Sequence, residues 1–409
     1  MRARCFWVRS ICSARAIKNP VGTSVAPCIT FKYFANTEKA TDISVRNKAA
    51  CITDMTEVSS SSNSGALPAV PEDITAPWMS RVLGQKLKTV ELNNIVPGTA
   101  TKVFVTVTYE GEDASLPTNF CVKGGFEPEF IKSMPFVLMI YRREVDFYNN
   151  VAPLLEHMEL PKKWWADHNA SQGIILMEDL KAAGHSFGNP STPWSIPTVL
   201  AGVEQLAALH SKTWGVENTD YPWLTSDYDL ALLHLMQTYE QVVRSPGRPI
   251  IPEYMKDQGR VTAVLKKHYG SRNPKFQCLL HGDAHVSNTY LVNGAPRFLD
   301  WQMIHIGSAF HDVAYFIGGA LDVETRRARE LDILDHYLRF LEKLGGPSLS
   351  VKDQDVMIEY RKSFLAGIGP IMCPYEMQPK EWVSPMAERY AAALDDHKVL
   401  ELVESLPEI

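Results

Sequence analysis

The run Cys278-Leu279-Leu280-His281-Gly282-Asp283-Ala284-His285-Val286-Ser287-Asn288 carries an apolar segment straight into a polar loop. It continues as Thr289-Tyr290-Leu291-Val292-Asn293-Gly294-Ala295-Pro296-Arg297-Phe298-Leu299-Asp300-Trp301. Asn293-Gly294 is the strongest short hairpin signal a sequence offers, because both residues tolerate the positive φ angles of a tight two-residue turn. Folding 289–292 back onto 297–300 gathers the side chains just outside the ribbon: Asp283 and Asn288 on one arm, Asp300 on the other. Pro296 leaves the register open by one or two residues, and the convergence survives such a slip.

Outward from this ribbon the chain divides by pattern. Residues 289–300 interrupt a helical half, whose helices the spacing predicts over 196–214, 229–243, 252–269, 324–344, 352–367 and 386–405. On the N-terminal side, a short helix at 76–83 precedes two β-rich runs, 88–95 and 101–109, joined by the tight turn Val96-Pro97-Gly98-Thr99-Ala100. Asn119-Phe120-Cys121-Val122-Lys123 reads as a third antiparallel strand, 136–155 as a helix, and Gly173-Ile174-Ile175-Leu176-Met177-Glu178 as a continuous apolar strand that closes a small β-rich lobe. The expected architecture is α+β and bilobal, with a small antiparallel N-lobe (71–180) and a larger helical C-lobe (181–409) around a cleft. Residues 1–70 read as leader and linker. The first 37 residues carry Arg2, Arg4, Arg9, Arg15, Lys18 and Lys32 with no acid before Glu38, a transit-peptide-like composition, and 59–71 is rich in Ser, Asn, Gly and Pro. The expected compartment is cytoplasmic, or mitochondrial if that leader is a transit peptide.

Composition removes several classes of function. In 409 residues, 45% are hydrophobic and 22% charged, the profile of a folded chain with a large core. Lys plus Arg is 41 against 47 for Asp plus Glu, a net charge of −6, so no overall basic field exists to hold nucleic acid. The longest strongly apolar run falls far short of the roughly 20 residues a membrane-spanning helix needs. Seven cysteines lie scattered with no C-x-x-C pair, which argues against a disulfide scaffold or a structural zinc site.

Two carboxylates and an amide at one loop end form a hard-oxygen site suited to Mg²⁺, which keeps its remaining positions for water and phosphate oxygens. A nucleoside triphosphate is the natural further ligand. Phosphoryl transfer needs a metal to neutralise the migrating group and a carboxylate to orient the acceptor hydroxyl and take its proton. The full composite, His281-Gly282-Asp283 with Asn288, then Leu299-Asp300-Trp301-Gln302, Gly307 and Asp312, resembles the catalytic signature of the aminoglycoside phosphotransferase and choline kinase group of the protein-kinase-like fold. The nearer likeness is to its CHK-kinase-like, or ecdysteroid-kinase-like, branch. That resemblance implies Asp283 as catalytic base, Asn288 and Asp300 as Mg²⁺ ligands, His281 as a loop-shaping residue and Asp312 as a structural partner of the loop. It also implies ATP as phosphoryl donor and a small-molecule alcohol as acceptor.

The N-terminal lobe carries the remaining parts of the resemblance. Lys123, at the end of an apolar strand, matches the family's phosphate-binding lysine. Glu144, in Tyr141-Arg142-Arg143-Glu144-Val145-Asp146, matches the helix glutamate that pairs with it. The turn over the phosphates is the poorest match, with Gly98 as its one glycine and the hydroxyls of Thr99 and Thr101 as further contacts. Met177-Glu178-Asp179-Leu180 resembles the hinge whose backbone meets the adenine edge, which implicates Glu178 and Leu180. His210 and Trp214, in a Leu-x-x-Leu-His-x-x-x-Trp helix, read as packing residues.

Three rivals to a small-molecule kinase remain at this stage. A protein kinase is disfavoured because no Ala-Pro-Glu motif or long activation segment follows Asp300. A catalytically inactive kinase-like module that binds a nucleotide or partner draws its support from the single-glycine turn. A metal-dependent hydrolase would use His281, Asp283, His285 and Asp300. The acceptor-binding side has no signature beyond Trp194, Trp214, Trp223, Tyr228 and Tyr315 and the acids Asp227, Asp229 and Glu253, and oligomeric state has none.

Overall fold

The computed structural model describes residues 66–111, 115–224 and 228–407. The proposed leader, most of the linker, four of the cysteines and Asp227 lie outside them. Strands β1 (Leu87–Val96), β2 (Thr101–Tyr109), β3 (Asn119–Gly124), β4 (Lys163–His168) and β5 (Gly173–Glu178) form one antiparallel sheet in the order β1-β2-β3-β5-β4. In β2, Val103, Val105 and Val107 are buried and alternate with half-buried positions, the pattern its sequence predicts. Strand β4 is absent from the sequence reading. Each of its six residues is half-buried, so the period of two that marks a strand never develops.

The two faces of the sheet have different partners. Val103, Val105, Phe120, Val122, Ile174 and Leu176 pack with Trp78 and Met79 of helix α1 (Ala76–Leu83). Cys121, Ile175 and Met177 face the other way and join the large core that runs into the helical lobe. Helices α2 (Pro128–Ser133) and α3 (Val137–Asp146) follow β3 and pack on each other through Phe130, Ile131, Val137 and Tyr141, with Val145 of α3 reaching the large core. The single helix expected to residue 155 instead widens into a π turn at Phe147–Val151 and tightens to a 3-10 turn at Ala152–Leu154. Pro153 lacks the N–H that a continuing helix needs.

The helical lobe contains α4 (Ile196–Lys212), α5 (Tyr228–Leu235), α6 (Tyr239–Val243), α7 (Gln258–Gly270), α8 (Ala309–Ala320), α9 (Val323–Lys343), α10 (Gln354–Ser363), α11 (Ile368–Met372), α12 (Lys380–Asp396) and α13 (Val399–Ser405). Helix α8 is buried at every position and forms the centre of the lobe. The sequence reading does not include it: the helix is short and mostly apolar, and its polar side chains His311 and Asp312 are buried with the rest rather than forming a solvent-facing stripe. The expected helix over 386–405 is really two, parted where Lys398 turns left-handed at φ 48°.

Between α7 and α8 lie the short strands β7 (Gln277–Leu280), β8 (Thr289–Val292), β9 (Ala295–Phe298) and β10 (His305–Ser308), with β6 (Ser186–Phe187) added to the outside of β8. The hairpin closes at Val292 opposite Ala295. Asn293 and Gly294 take φ values of 52° and 82°, the double left-handed geometry of a type I′ turn. Pro296 therefore does not widen the turn. It sits inside β9, an edge strand, where its missing N–H forfeits no ladder bond.

Helix α4 approaches α8 closely enough that a Cβ on Gly202 would lie 2.3 Å from the buried Phe316 ring. Gly202→Val is expected to cost about 1–3 kcal/mol through overpacking. Urea unfolding measures it, and an unchanged midpoint would mean that the two helices separate freely.

Candidate active site

The loop 281–288 is shaped from below by Asp312 on α8. Its carboxylate accepts the backbone N–H of His281 at 2.6 Å and of Gly282 at 3.0 Å, and lies 3.3 Å from His210 Nε2. Tyr337 secures the other nitrogen of His210 at 2.8 Å. Burial pushes the Asp312 carboxyl up, but His210 and the other histidines around it outweigh that and hold it at about 2. Gly282 has φ 79°, and a Cβ there would lie 2.2 Å from the Met303 carbonyl, so this turn admits only glycine.

His281 acts as a strut. Its Nδ1 accepts the Asp283 N–H at 3.2 Å and its Nε2 donates to the Leu299 carbonyl at 3.0 Å, which ties the loop to the far arm of the hairpin. Burial pushes its pKa down, so the ring is neutral. The Leu299 N–H donates to the Asn288 carbonyl at 3.0 Å, extending the ribbon one step past β9 and setting Asn288 beside Asp300. Asn288 Nδ2 donates to Asp283 Oδ2 at 2.9 Å and to the Asp283 carbonyl at 3.0 Å.

The opposite lobe supplies Lys123. Its Nζ lies 2.7 Å from Glu144 Oε2 and 3.0 Å from Asp300 Oδ1, with all three side chains nearly inaccessible to solvent. Glu144 also accepts the Trp301 N–H at 3.1 Å, so one carboxylate on α3 fixes both the lysine and the backbone after Asp300. Asp300 itself is left-handed at φ 69°, a conformation that costs a non-glycine residue about 1–3 kcal/mol and persists only where neighbours impose it. Trp301 contributes by stacking on Phe147 with centroids 3.8 Å apart and planes within 9°. Burial pushes the Glu144 carboxyl up, Lys123 pulls it down and Asp300 adds to the rise. The net direction is upward, chiefly because burial outweighs the pull of Lys123.

Glu144, Lys123 and Asp300 thus form one group of contacts across the two lobes, and Asn288 with Asp283 a second, joined to it through the backbone bond between Leu299 and Asn288. Gly98 and Thr99 lie in the turn between β1 and β2. Thr99 is buried, its carbonyl accepts the Tyr141 hydroxyl, and the Thr101 hydroxyl donates to Glu127 at 3.1 Å. Glu178 ends β5 with its N–H on the Lys162 carbonyl at 2.9 Å, and the Leu180 carbonyl accepts from His185 N–H at 2.9 Å. Two residues to which the resemblance assigns no role touch Asp283. The Tyr315 hydroxyl donates to Oδ1 at 3.3 Å, and His285 Nε2 lies 3.5 Å from Oδ2. Tyr315 is one helical turn beyond Asp312, and that spacing is the one signal that marks it.

Oxygen donors dominate the mouth of the ribbon. Both nitrogens of His281 are engaged, and His285 Nδ1 accepts the Ser287 N–H at 3.1 Å, which removes the ligand set that a zinc-type hydrolase requires. Among the described residues no three His, Cys, Asp or Glu side chains gather into a metal-holding group. An amide and a carboxylate fit Mg²⁺, whose shell is otherwise filled by phosphate and water.

This arrangement, a five-stranded antiparallel lobe whose strand lysine meets a loop carboxylate of a helical lobe, defines the protein-kinase-like fold. The chain belongs to the ecdysteroid kinase-like family, whose model matches residues 99–345. Similar solved structures include a macrolide 2′-phosphotransferase from Brachybacterium faecium at 14% identity and TM-score 0.43, over 81% of this chain and 98% of that one. They also include choline kinase from Cryptosporidium parvum Iowa II at 13% identity and TM-score 0.46, over 77% of this chain and 90% of that one. Plasmodium vivax ethanolamine kinase matches at 12% identity and TM-score 0.43, over 78% and 83%. No curated protein matches the chain in sequence. Among the described residues no helix is long and apolar enough to cross a membrane.

Asp312 makes stability pH-dependent in a definite direction. A carboxyl depressed to about 2 in the folded state contributes stability that is complete above the ordinary aspartate range and lost as pH falls through its folded value. Asp312→Asn is expected to be the less stable protein at neutral pH, and its deficit should shrink by about 2 kcal/mol between about pH 4 and pH 2. Urea unfolding across that range measures the change, and a deficit constant with pH would contradict it.

Proposed function

We propose that this protein is an ATP- and Mg²⁺-dependent phosphotransferase acting on a hydroxyl group of a small molecule. In this reading 71–180 is the nucleotide lobe, and 181–409 carries the catalytic loop and the acceptor site. The observation that carries it is the chain of contacts from Glu144 through Lys123 to Asp300, set beside the Asn288–Asp283 pair.

Asp283 is the base. Its carboxylate is held by Asn288 and Tyr315, yet its side chain keeps 15% exposure, enough to meet an acceptor hydroxyl. The acceptor O–H donates to Asp283 and passes its proton there as the oxygen attacks the terminal phosphorus of ATP, with ADP as leaving group. Lys123, aimed by Glu144, meets the phosphate oxygens as a fixed charge. Asn288 and Asp300 would hold Mg²⁺, which when bound neutralises charge on the transferring group. Glu178 and Leu180 lie where the chain passes between the lobes, and their backbone is the candidate contact for the adenine edge. Gly98 and Thr99 form the turn nearest the phosphates.

A nucleotide-binding module without turnover is the second reading. The observation favouring it is the fastening of the β1–β2 turn by Tyr141 and Glu127, which leaves a single glycine for close approach to phosphate.

One set of measurements separates the two. Purified protein with ATP, Mg²⁺ and a panel of small alcohols is expected to release ADP in step with a mass gain of one phosphate on one alcohol. Asp283→Asn should lower kcat on the order of 10²-fold or more while Mg-ATP affinity, read by calorimetry, stays nearly unchanged. Asp300→Ala should weaken Mg-ATP binding itself. ATP binding without ADP release on any acceptor favours the inactive module, and full activity in both variants rules out the mechanism.

A further inference from the structure

Strand register places a second lysine beside Lys123. Lys102 and Lys123 are direct partners across β2 and β3. Directly opposed residues of an antiparallel pair project from the same face of the sheet. That face is the one turned toward the second lobe. On it Phe104 pairs with Cys121, Cys121 with Met177 and Lys123 with Ile175, and these residues join the large core that contains Phe147 and Trp301. The alternate residues Val103, Val105, Val122 and Leu176 belong to the separate core on the opposite face. Burial pushes the Cys121 thiol up to about 12, and the cations that work against this rise are Lys102 first and Lys123 second, so both charges act on one buried side chain.

The two lysines differ in what holds them. Lys123 is buried and divided between Glu144 and Asp300. Lys102 is half-buried, and no hydrogen bond or ion pair with another described residue ties its ammonium group. The charge of Lys123 is thus already matched by two carboxylates, whereas the ammonium of Lys102 is left to meet an incoming anion.

Its position in the chain says which anion. Lys102 is the second residue of β2, directly after the turn that contains Gly98. In a glycine-rich turn, successive backbone N–H groups approach the phosphates. Here the turn is short, and it is bound to Tyr141 and Glu127 through Thr99 and Thr101. Donors lost from the turn are replaceable by a long, flexible ammonium entering from the adjoining strand, since Lys binds phosphate as a point charge with three rotatable donors.

We propose that Lys102 is a second phosphate-binding cation of the nucleotide site, supplied from β2 in place of the missing glycine-rich turn. The proposal rests on the nucleotide-binding reading given above. Its role is in binding, with the reacting groups left to Lys123, Asp283 and Asp300.

The test compares full-length wild type, Lys102→Met and Lys102→Arg by calorimetry with Mg-ATP, Mg-ADP and adenosine. Lys102→Met is expected to bind Mg-ATP about 10-fold or more weakly, the scale of a lost hydrogen bond to a charged group, with adenosine affinity unchanged and Lys102→Arg near wild type. The salt dependence of Mg-ATP affinity should be shallower in Lys102→Met. Lys102→Gln carries the same expectation and serves where circular dichroism shows that methionine disturbs the strand. Wild type that binds Mg-ATP no better than the Met and Gln variants overturns the proposal and leaves the kinase reading standing. Equal losses for adenosine and Mg-ATP also overturn it, since the side chain would then be supporting the fold. Wild type that binds no nucleotide removes the proposal and the reading beneath it together.

Discussion

One ammonium group, that of Lys123, lies between two carboxylates from different parts of the chain, with all three buried. Removing such charges from water costs several kcal/mol each, and truncating one partner leaves an uncompensated buried charge worth about 3–5 kcal/mol. The group therefore exists only while β3, α3 and the segment after β9 hold their relative positions. Packing around it is arranged accordingly: the Trp301 ring stacks on Phe147 at the end of α3, and the Trp301 N–H closes on the same Glu144. A left-handed Asp300 is the other sign of constraint, since its neighbours on both sides are pinned, Leu299 to Asn288 and Trp301 to Glu144.

Below that junction a second buried network does for the loop 281–288 what Lys123 does for the cleft. Asp312 takes two loop N–H groups and is itself held by His210, which leans on Tyr337. These groups come from α4, α8 and α9, so the loop is referenced to the centre of the helical lobe. A site built on rigid elements in this way holds its side chains to a narrow range of positions, which is what a reaction dependent on alignment requires. Asp283 is then oriented from its own loop by Asn288 and from α8 by Tyr315, with one element fixing both the backbone and the carboxylate.

Much of this was legible in the sequence for a physical reason: hairpins and half-buried strands declare themselves locally. The Asn293-Gly294 turn, the alternation in β2 and the apolar run of β5 need no tertiary information, and they suffice to bring Asp283, Asn288 and Asp300 together. What escaped is what depends on context. Helix α8 is buried on every side, so no solvent-facing stripe marks it, although it carries Asp312 and Tyr315. Strand β4 has no buried side to alternate with. Residues 136–155 keep helical spacing, but Pro153 interrupts the backbone ladder. Lys102 looks like any strand lysine until the pairing of β2 with β3 sets it opposite Lys123.

The electrostatics of the cleft connect these observations. Asp283, Asp300 and Glu144 place three carboxylates where the proposed substrate brings a triphosphate, and like charges at such separations repel strongly in a partly desolvated site. A fold that merely bound the nucleotide would do better with fewer acids there. Each carboxylate has a part in the proposed reaction: Glu144 would aim Lys123, Asp300 would anchor a metal cation, and Asp283 would take the proton of the acceptor hydroxyl. Of the three, Asp283 alone makes no ion pair with a lysine or arginine among the described residues, and it keeps more exposure than the other two. That asymmetry favours turnover over passive binding, because a carboxylate beside phosphate that neither pairs with a cation nor accepts a proton adds only repulsion.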